Sequence, residues 1–263
     1  MESVNRFFGL CKEIWDNRVV MMAMVRRNTA GRYKSTFIGF GWHLLMPILT
    51  IMVLNLVFGT IRPKPIADFW IYLSAGMFPV TFMSGCLRGN AIKSNANYIK
   101  KMYFPKEIVI LADVIAQMLT LVFAYLVIII IIMSAGQPVN WGGMGFLIVE
   151  LFLMFLFGIG CSMIMSTVSV FIKDIGYLAS VMMRLVVWVT PTFFLVSEAK
   201  GLLATIVWCN PFTYFVEVYH DILYYNIFPE TYLILWSVGL AIGVLAAGWT
   251  IFAHYKDRFA EVL

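Results

Sequence analysis

Long uncharged runs separated by short polar segments set the pattern of this chain. The hydrocarbon core of a bilayer is about 30 Å thick, so a crossing helix needs about 20 mostly apolar residues. The longest uncharged run covers residues 114–149 and is interrupted by Gly and Pro residues. Because these residues break helices, the run is divided into two crossings. The predicted crossings are residues 37–61, 69–87, 108–134, 143–171, 176–197 and 231–253. The pattern therefore predicts an all-α integral membrane protein with six transmembrane helices, residues 1–263 forming a single transmembrane domain.

One further apolar stretch, within residues 199–229, is too short and too interrupted for a crossing. Its uncharged part covers 201–216, and Asn210-Pro211 divides it. Irregular backbone is tolerated at membrane depth only where protein or a wet cavity covers it. We therefore predict a re-entrant hairpin between the fifth and sixth crossings.

Basic residues fall almost entirely on one side of the predicted crossings. Fifteen Lys and Arg side chains lie before the first crossing, after the second and fourth, and after the sixth, whereas three lie on the other side. Cytoplasmic segments of membrane proteins carry the excess of Lys and Arg. Both chain termini are therefore predicted to be cytoplasmic, in agreement with an even number of crossings.

Residues 1–30 match neither a crossing nor a plain loop. Apolar side chains recur there at helical spacing, with basic residues between them, which predicts an amphipathic helix lying at the membrane interface. The apolar positions are Val4, Phe7, Phe8, Cys11, Ile14, Trp15, Val19 and Met22. The helix serves either as a membrane anchor or as a platform for a partner or a lipid-linked substrate.

The segment 90–107 is longer than a tight turn and mixes aromatic side chains with charge. Such a mixture favours a protein contact. The residues predicted to make that contact are Tyr98, Ile99, Lys100, Lys101 and Tyr103. The positive-inside bias accounts for lysines here but leaves the aromatic cluster unexplained.

Composition and missing motifs narrow the function. The 263 residues are 62% hydrophobic and 13% charged, which excludes a soluble domain, where about 25% of residues are charged. The sequence contains no G-x-x-x-x-G-K-[ST], H-E-x-x-H or G-x-S-x-G motif, so we expect no ATP site, zinc protease site or nucleophile elbow on this chain. Its four cysteines are scattered and suggest no metal site. A passive channel, or a permease driven by a separate ATPase, is what remains.

Four stretches, spread over most of the chain, resemble one family. They are Arg32-Tyr33-Lys34 with Ile38-Gly39-Phe40-Gly41-Trp42 and Pro47, the run from Ser94 to Glu107, Phe171-Ile172-Lys173-Asp174-Ile175 with Pro191, and Asn210-Pro211-Phe212 up to His220-Asp221. Together these stretches resemble the membrane subunit of ABC-type exporters of polysaccharides and teichoic acids, which include O-antigen and capsule exporters. One departure is His220, where members of that family often carry Arg.

The resemblance implies how the protein works and where it resides. It implies a homodimer in the cytoplasmic (inner) membrane of a bacterium or archaeon, bound to two separate ATP-binding cassette subunits. These partners would hold ATP and Mg²⁺, so no cofactor is expected on this chain, and no nucleic acid partner is implied. The cargo would be a lipid-linked glycan. The segment 90–107 would contain the coupling helix, and 199–229 would form the gate at the outer mouth.

Two further groups of residues are candidates for cargo contact. Arg32 and Lys34 precede the first crossing and could bind the diphosphate of a polyprenyl carrier, although headgroup contact explains them equally well. Aromatic rings can hold a sliding sugar chain, and an interfacial aromatic belt is the alternative. The candidate channel and gate residues are Phe37, Phe40, Trp42, Arg184, Trp208, Phe212, Tyr214, Phe215 and Tyr219.

Arg184 is the one clearly internal charge in the predicted crossings. A charge at a helix centre costs about 2.5–3.5 kcal/mol on insertion scales, so it needs water, a partner or an exit to the interface. We expect Arg184 to face the channel, with Glu150 or a phosphate as partner, and lipid snorkelling as the alternative. Gly239 and Gly243 form a GxxxG pair that is predicted to pack within one subunit.

Two other functions are compatible with the sequence. The first is an ABC permease that exports a small drug or a free lipid, since that class shares this architecture. The second is a channel or carrier that needs no ATPase. Ion-coupled carriers usually contain acidic residues at mid-membrane depth, whereas the one clearly internal charge here is an arginine.

Overall fold

The computed structural model describes residues 9, 12–30, 41–61 and 66–262, and the regular elements within these residues are all helical. A helix satisfies its backbone hydrogen bonds within its own segment, as a hydrocarbon environment requires. The predicted all-α class is therefore confirmed.

Twelve helices are named here in chain order, besides a short helical stretch at 12–16. They are α1 (Arg18–Ala30), α2 (Trp42–Ile61), α3 (Phe69–Cys86), α4 (Ala91–Ser94), α5 (Ala96–Lys101), α6 (Glu107–Ser134), α7 (Trp141–Phe171), α8 (Ile175–Val189), α9 (Leu202–Cys209), α10 (Pro211–Leu223), α11 (Thr231–Tyr255) and α12 (Phe259–Val262).

Four of these helices are long and apolar enough to cross a membrane: α3, α6, α7 and α11. They coincide with the second, third, fourth and sixth predicted crossings to within two residues at each end. The first predicted crossing is described from residue 41 onward, and its helix, α2, begins at Trp42. The total of six crossings stays a prediction.

The fifth predicted crossing is shorter than expected. It was predicted over 176–197, whereas α8 ends at Val189, and Thr190 already has an extended backbone. Proline disfavours helical geometry in the residue before it, and Pro191 follows Thr190 directly. Fifteen residues make a helix of about 22 Å, less than the hydrocarbon thickness.

The close approach of α7 and α11 forms the most extensive helix pair among the described residues. A Cβ atom at Gly248 would lie 2.5 Å from the carbonyl oxygen of Gly160, so only glycine fits there. A Cβ atom at Gly239 or Gly243 would have no neighbouring atom within 4 Å. The prediction that these two glycines pack tightly within the subunit is therefore wrong. The close crossing uses Gly160 and Gly248 instead.

The bundle has two distinct ends, defined by contacts between distant segments. At the first end, Lys256 after α11 donates to the Glu107 carboxylate at 2.7 Å. We call this the basic end; it carries α4, α5, residues 102–106 and residues 256–262. At the far end, Gln137 donates to Asp68 at 3.0 Å.

Helix α1 packs against α6 through Met24 and Val25, which are buried. Trp15, Val19 and Met22, three positions of the predicted apolar stripe, remain exposed. Residues 12–30 are thus largely helical, as predicted, with an apolar surface left uncovered by the protein. The location of this helix at the membrane interface stays a prediction.

We predict that Gly248→Val destabilises the protein, whereas Gly243→Val on the same helix has little effect. The new side chain at 248 would overlap backbone atoms of Gly160, and overpacking of a tight contact costs about 1–3 kcal/mol. Thermal unfolding of the purified protein in detergent measures the difference. Equal losses in the two variants would contradict the close crossing.

Candidate functional site

A compact surface at the basic end presents the residues predicted to contact a partner. Tyr98 and Met102 are about half exposed, and Tyr103 is fully exposed. Lys100 and Lys101 are exposed beside them. Ile99, the fifth predicted contact residue, is buried, so its side chain fixes α5 to the protein instead of facing outward. We call Tyr98, Lys100, Lys101, Met102 and Tyr103 the coupling surface.

The coupling surface is attached to α1 through Arg27. The guanidinium of Arg27 donates to the Asn95 side chain at 2.6 Å and lies 5.3 Å from the ring centre of Tyr98. Asn95 is buried and donates in turn to the carbonyl of Ala91 at 2.8 Å. A displacement of α5 would therefore be transmitted to α1. Sequence reasoning missed Arg27, because its contacts join segments 68 residues apart.

Helices α9 and α10 occupy the segment predicted to form a hairpin. Asn210 separates them, and its side chain accepts a hydrogen bond from the Phe212 amide at 3.1 Å, which caps α10. The amide of the same side chain donates to the Thr190 hydroxyl at 2.8 Å. With eight and thirteen residues, neither helix reaches the length of a crossing.

Contacts of α10 show how deep this segment reaches. Its first turn lies against Phe157, where the ring of Phe212 is 6.0 Å away. Phe157 is the seventeenth residue of α7, about 24 Å from the far end of that helix. Beyond the other end of α10, the Asn140 side chain contacts Asn226 at the far end. The helix therefore runs from the middle of the bundle to its far end.

Tyr72 and His220 join α3 to α10. Their rings stack with centroids 3.8 Å apart, and both residues are buried. The Tyr72 hydroxyl lies 3.0 and 2.7 Å from the carbonyl oxygens of Pro191 and Phe194, which share its single proton. One tyrosine thus connects three segments: α3, α10 and the turn that follows α8.

Each ring nitrogen of His220 faces an oxygen acceptor. Nδ1 lies 2.8 Å from the Glu217 carboxylate, and Nε2 lies 3.1 Å from the Tyr72 carbonyl. A neutral imidazole donates from one nitrogen only, so both contacts are hydrogen bonds when either His220 or Glu217 carries an additional proton. His220 can lie this close to α3 because residue 76 is glycine. A Cβ atom at that position would lie 3.1 Å from Nε2 of His220.

Acidic side chains accompany this contact near the far end. Asp221 is buried one turn beyond Glu217 on α10. Its buried Oδ2 makes no hydrogen bond to another described residue.

Three of the aromatic residues that were candidates for lining the channel are not exposed on the surface of the protomer. Phe212, Phe215 and Tyr219 are buried inside the protomer. Phe215 packs 4.9 Å from Phe157, and Tyr219 stacks 5.0 Å from Tyr125. These rings form the face of α10 that holds it to the bundle, which corrects the expectation that they face the channel.

The other predicted hairpin aromatics belong to an accessible cluster. Trp208 lies 5.7 Å from Tyr214, and Tyr214 stacks 5.0 Å from Trp236. Tyr232 is 6.1 Å from Trp208, and both Tyr232 and Trp236 are about half exposed. We call these four rings the aromatic cluster. Tyr232 and Trp236 were missed in the sequence, although their i, i+4 spacing on α11 places them on one face.

The remaining predicted site residues are distributed as follows. Trp42 is half-buried at the start of α2, and Arg184 is exposed on α8. Glu150, proposed as a partner for Arg184, is fully buried, with the Ser237 side chain beside its carboxyl group. Phe37, Phe40, Arg32 and Lys34 lie outside the described residues.

The long apolar helices define a polytopic membrane protein. Residues 20–224 match the ABC-2 type transporter family, so the chain belongs to that family. It is also similar, at 24% identity over 259 residues, to a protein of Myxococcus xanthus called O-antigen export system permease protein RfbA; the match covers 96% of this chain and 98% of that protein. A protein of the same name from Klebsiella pneumoniae is 24% identical over 93% of this chain and 95% of its own length. The predicted family resemblance is confirmed.

We predict that Tyr72→Phe destabilises the protein by about 1–3 kcal/mol, because the carbonyls of Pro191 and Phe194 lose the donor that they share while the ring stack remains. Tyr224→Phe is the matched control, since Tyr224 meets the Tyr72 ring edge-on and is only half-buried. Thermal unfolding in detergent gives both values. A Tyr72→Phe protein as stable as the control would rule out this role.

Proposed function

We propose that this chain is the permease subunit of an ATP-driven exporter that moves a lipid-linked polysaccharide, of the O-antigen, capsule or teichoic acid type, out of the cytoplasm. The observation that carries the proposal is the near-full-length similarity to permeases named for O-antigen export. The chain itself would be a transport subunit and not an enzyme. It would lie in the cytoplasmic membrane of a bacterium or archaeon.

The basic end faces the cytoplasm in this proposal. Its exposed Lys and Arg side chains follow the positive-inside rule. Both chain termini would then lie on the cytoplasmic side, because residues 12–30 and 256–262 meet the same part of the bundle. Glu13 and Asn17 line one cavity together with Lys256 and Asp257, which supports this arrangement.

The coupling surface would dock on a separate ATP-binding cassette subunit. Exposed aromatic and Met side chains next to lysines have the composition of a protein interface. Movement of the ATPase would reach the bundle through α5, Arg27 and α1. Mg²⁺ and ATP would be bound by that partner.

A second copy of the chain would complete the conduit. Within α8, which is fully described, Met183 is the one buried residue. Large apolar side chains are also exposed along α2, including Leu49, Leu56 and Ile61. Arg184 is exposed on α8 and would meet water or cargo phosphate between the two copies, which would remove the cost of placing it in lipid.

Helices α9 and α10 would form a re-entrant gate at the outer mouth. Burial of the α10 aromatics against the bundle supplies the protein cover that membrane-depth irregular backbone requires. The aromatic cluster would offer flat apolar surfaces to passing sugar rings. Arg32 and Lys34 remain the proposed contacts for the carrier diphosphate.

We predict that Tyr103→Ala weakens binding of the ATPase subunit while leaving the stability of the permease unchanged. The ring is fully exposed and contributes no packing to this chain, whereas an aromatic anchor in an interface contributes about 2 kcal/mol or more, roughly 30-fold in affinity. Copurification and titration of the two subunits measure the effect. Trp141→Ala removes an exposed aromatic at the far end and should bind normally; undiminished affinity of Tyr103→Ala would contradict the docking surface.

We also predict that Trp208→Ala slows glycan export about two- to tenfold, because an aromatic contact contributes about 0.5–1.5 kcal/mol. Trp208→Phe, which keeps an aromatic face, should restore most of the rate. ATPase binding should be normal in both variants. The rate of glycan export is measured in cells or vesicles. A wild-type rate in the Trp208→Ala protein would show that the aromatic cluster does not contact the cargo.

A further inference from the structure

A polar cavity of about 480 Å³ lies at the basic end, where α1, the last turn of α3, α4 and α6 meet. This volume is in the range of small-molecule sites, about 300–1,000 Å³. The residues that dominate its chemistry are Arg27, Arg88, Asn90, Asp113, Gln117 and Thr120. None of these residues was singled out by the sequence.

The lining favours an anion that also accepts and donates hydrogen bonds. Two guanidinium groups, from Arg27 and Arg88, outnumber the one carboxylate, from Asp113. Guanidinium groups bind phosphate through paired hydrogen bonds. Amide and hydroxyl side chains, from Asn90, Gln117 and Thr120, supply further polar contacts. A phosphodiester headgroup meets all of these requirements.

Gln117 supports a ligand site in this cavity. Its side chain makes no hydrogen bond to another described residue, although it lies in the half-buried wall of α6. Gly85 on α3 gives it room, because a Cβ atom there would lie 2.7 Å from the Gln117 amide. The packing thus holds an amide donor against the cavity without a partner from the described protein.

The surface of α6 next to the cavity is apolar, as the acyl chains of a lipid require. Ala116, Thr120 and Phe123 have i, i+4, i+7 spacing and share one face of α6. Ala116 and Thr120 line the cavity, Phe123 is 44% exposed, and Ile130, seven residues further along the same face, is 65% exposed. An apolar strip therefore continues from the polar cavity toward the far end, as a headgroup with acyl chains would require.

We propose that this cavity binds a lipid with a phosphate headgroup from the leaflet at the basic end, its chains lying along α6. Arg27 gives the site a connection to the coupling surface, because the same guanidinium contacts Asn95 and Tyr98. Phosphate bound in the cavity competes for that guanidinium and so adjusts how firmly α5 is held. The lipid site is independent of what the exporter carries; its influence on coupling rests on the proposed function.

The test uses the full-length protein in detergent with native mass spectrometry. The probes are phosphatidylglycerol, diacylglycerol, which lacks the phosphate, and glycerol 3-phosphate, which lacks the chains. We expect phosphatidylglycerol to be retained, and the other two to bind at least about tenfold more weakly. Glycerol 3-phosphate binding as tightly as phosphatidylglycerol would overturn the lipid assignment, and so would diacylglycerol binding equally well.

Two variants test the location. Gln117→Glu is nearly isosteric and places a negative charge in the cavity, so phosphatidylglycerol affinity should fall about tenfold or more. Asn90→Ala is the second variant, for use if Gln117→Glu fails to fold, and should weaken binding severalfold. Arg26→Gln, on the same helix as Arg27 but outside the cavity, changes the net charge equally and should bind as wild type. Wild-type affinity in the cavity variants, or equal losses in Arg26→Gln, would overturn the proposal.

The same variants separate this site from the proposed function. Loss of lipid binding in Gln117→Glu with normal ATPase docking would support the lipid site whether or not the cargo is a glycan. Normal lipid binding in a Gln117→Glu protein that still exports polysaccharide would overturn the lipid site and leave the exporter assignment intact.

Discussion

The burial of α10 against α3, α7 and α11 is the contact on which the far half of the protein depends. A helix of thirteen residues that reaches the middle of the bundle cannot satisfy its ends or its flanking turns in lipid, so other protein segments must cover them. Phe212, Phe215 and Tyr219 supply the apolar face of this contact, and the Tyr72–His220 stack supplies its polar centre. Movement of α10 must therefore either carry α3 along or break that stack.

The basic end has a different construction. There the coupling surface is exposed, and it is held in place by the buried Ile99 side chain and a small number of polar contacts from Arg27 and Asn95. Polar contacts of this kind can be exchanged for a partner or a ligand at modest cost, whereas the aromatic packing of α10 cannot. The difference agrees with the proposed function, in which the basic end binds a moving ATPase and the far end forms the gate.

Sequence reasoning predicted the long helices well, because length and apolar composition decide a crossing. The α3, α6, α7 and α11 boundaries are examples. It misjudged α8, where Pro191 ends the helix inside an uncharged run, and it assigned the α10 aromatics to a channel. Their i, i+3, i+7 spacing already indicated one buried helix face. Arg27, the polar cavity and the close approach of Gly160 to Gly248 could not be predicted, because each depends on which distant segments the fold brings together.

The central claim is that the chain forms an unpowered conduit whose energy comes from a separate nucleotide hydrolase at the basic end. Its most direct test is transport in proteoliposomes that contain the purified chain with and without that ATPase, supplied with a lipid-linked glycan. Movement of the glycan only when both the partner and hydrolysable ATP are present is the predicted result. Transport by the chain alone would contradict the claim.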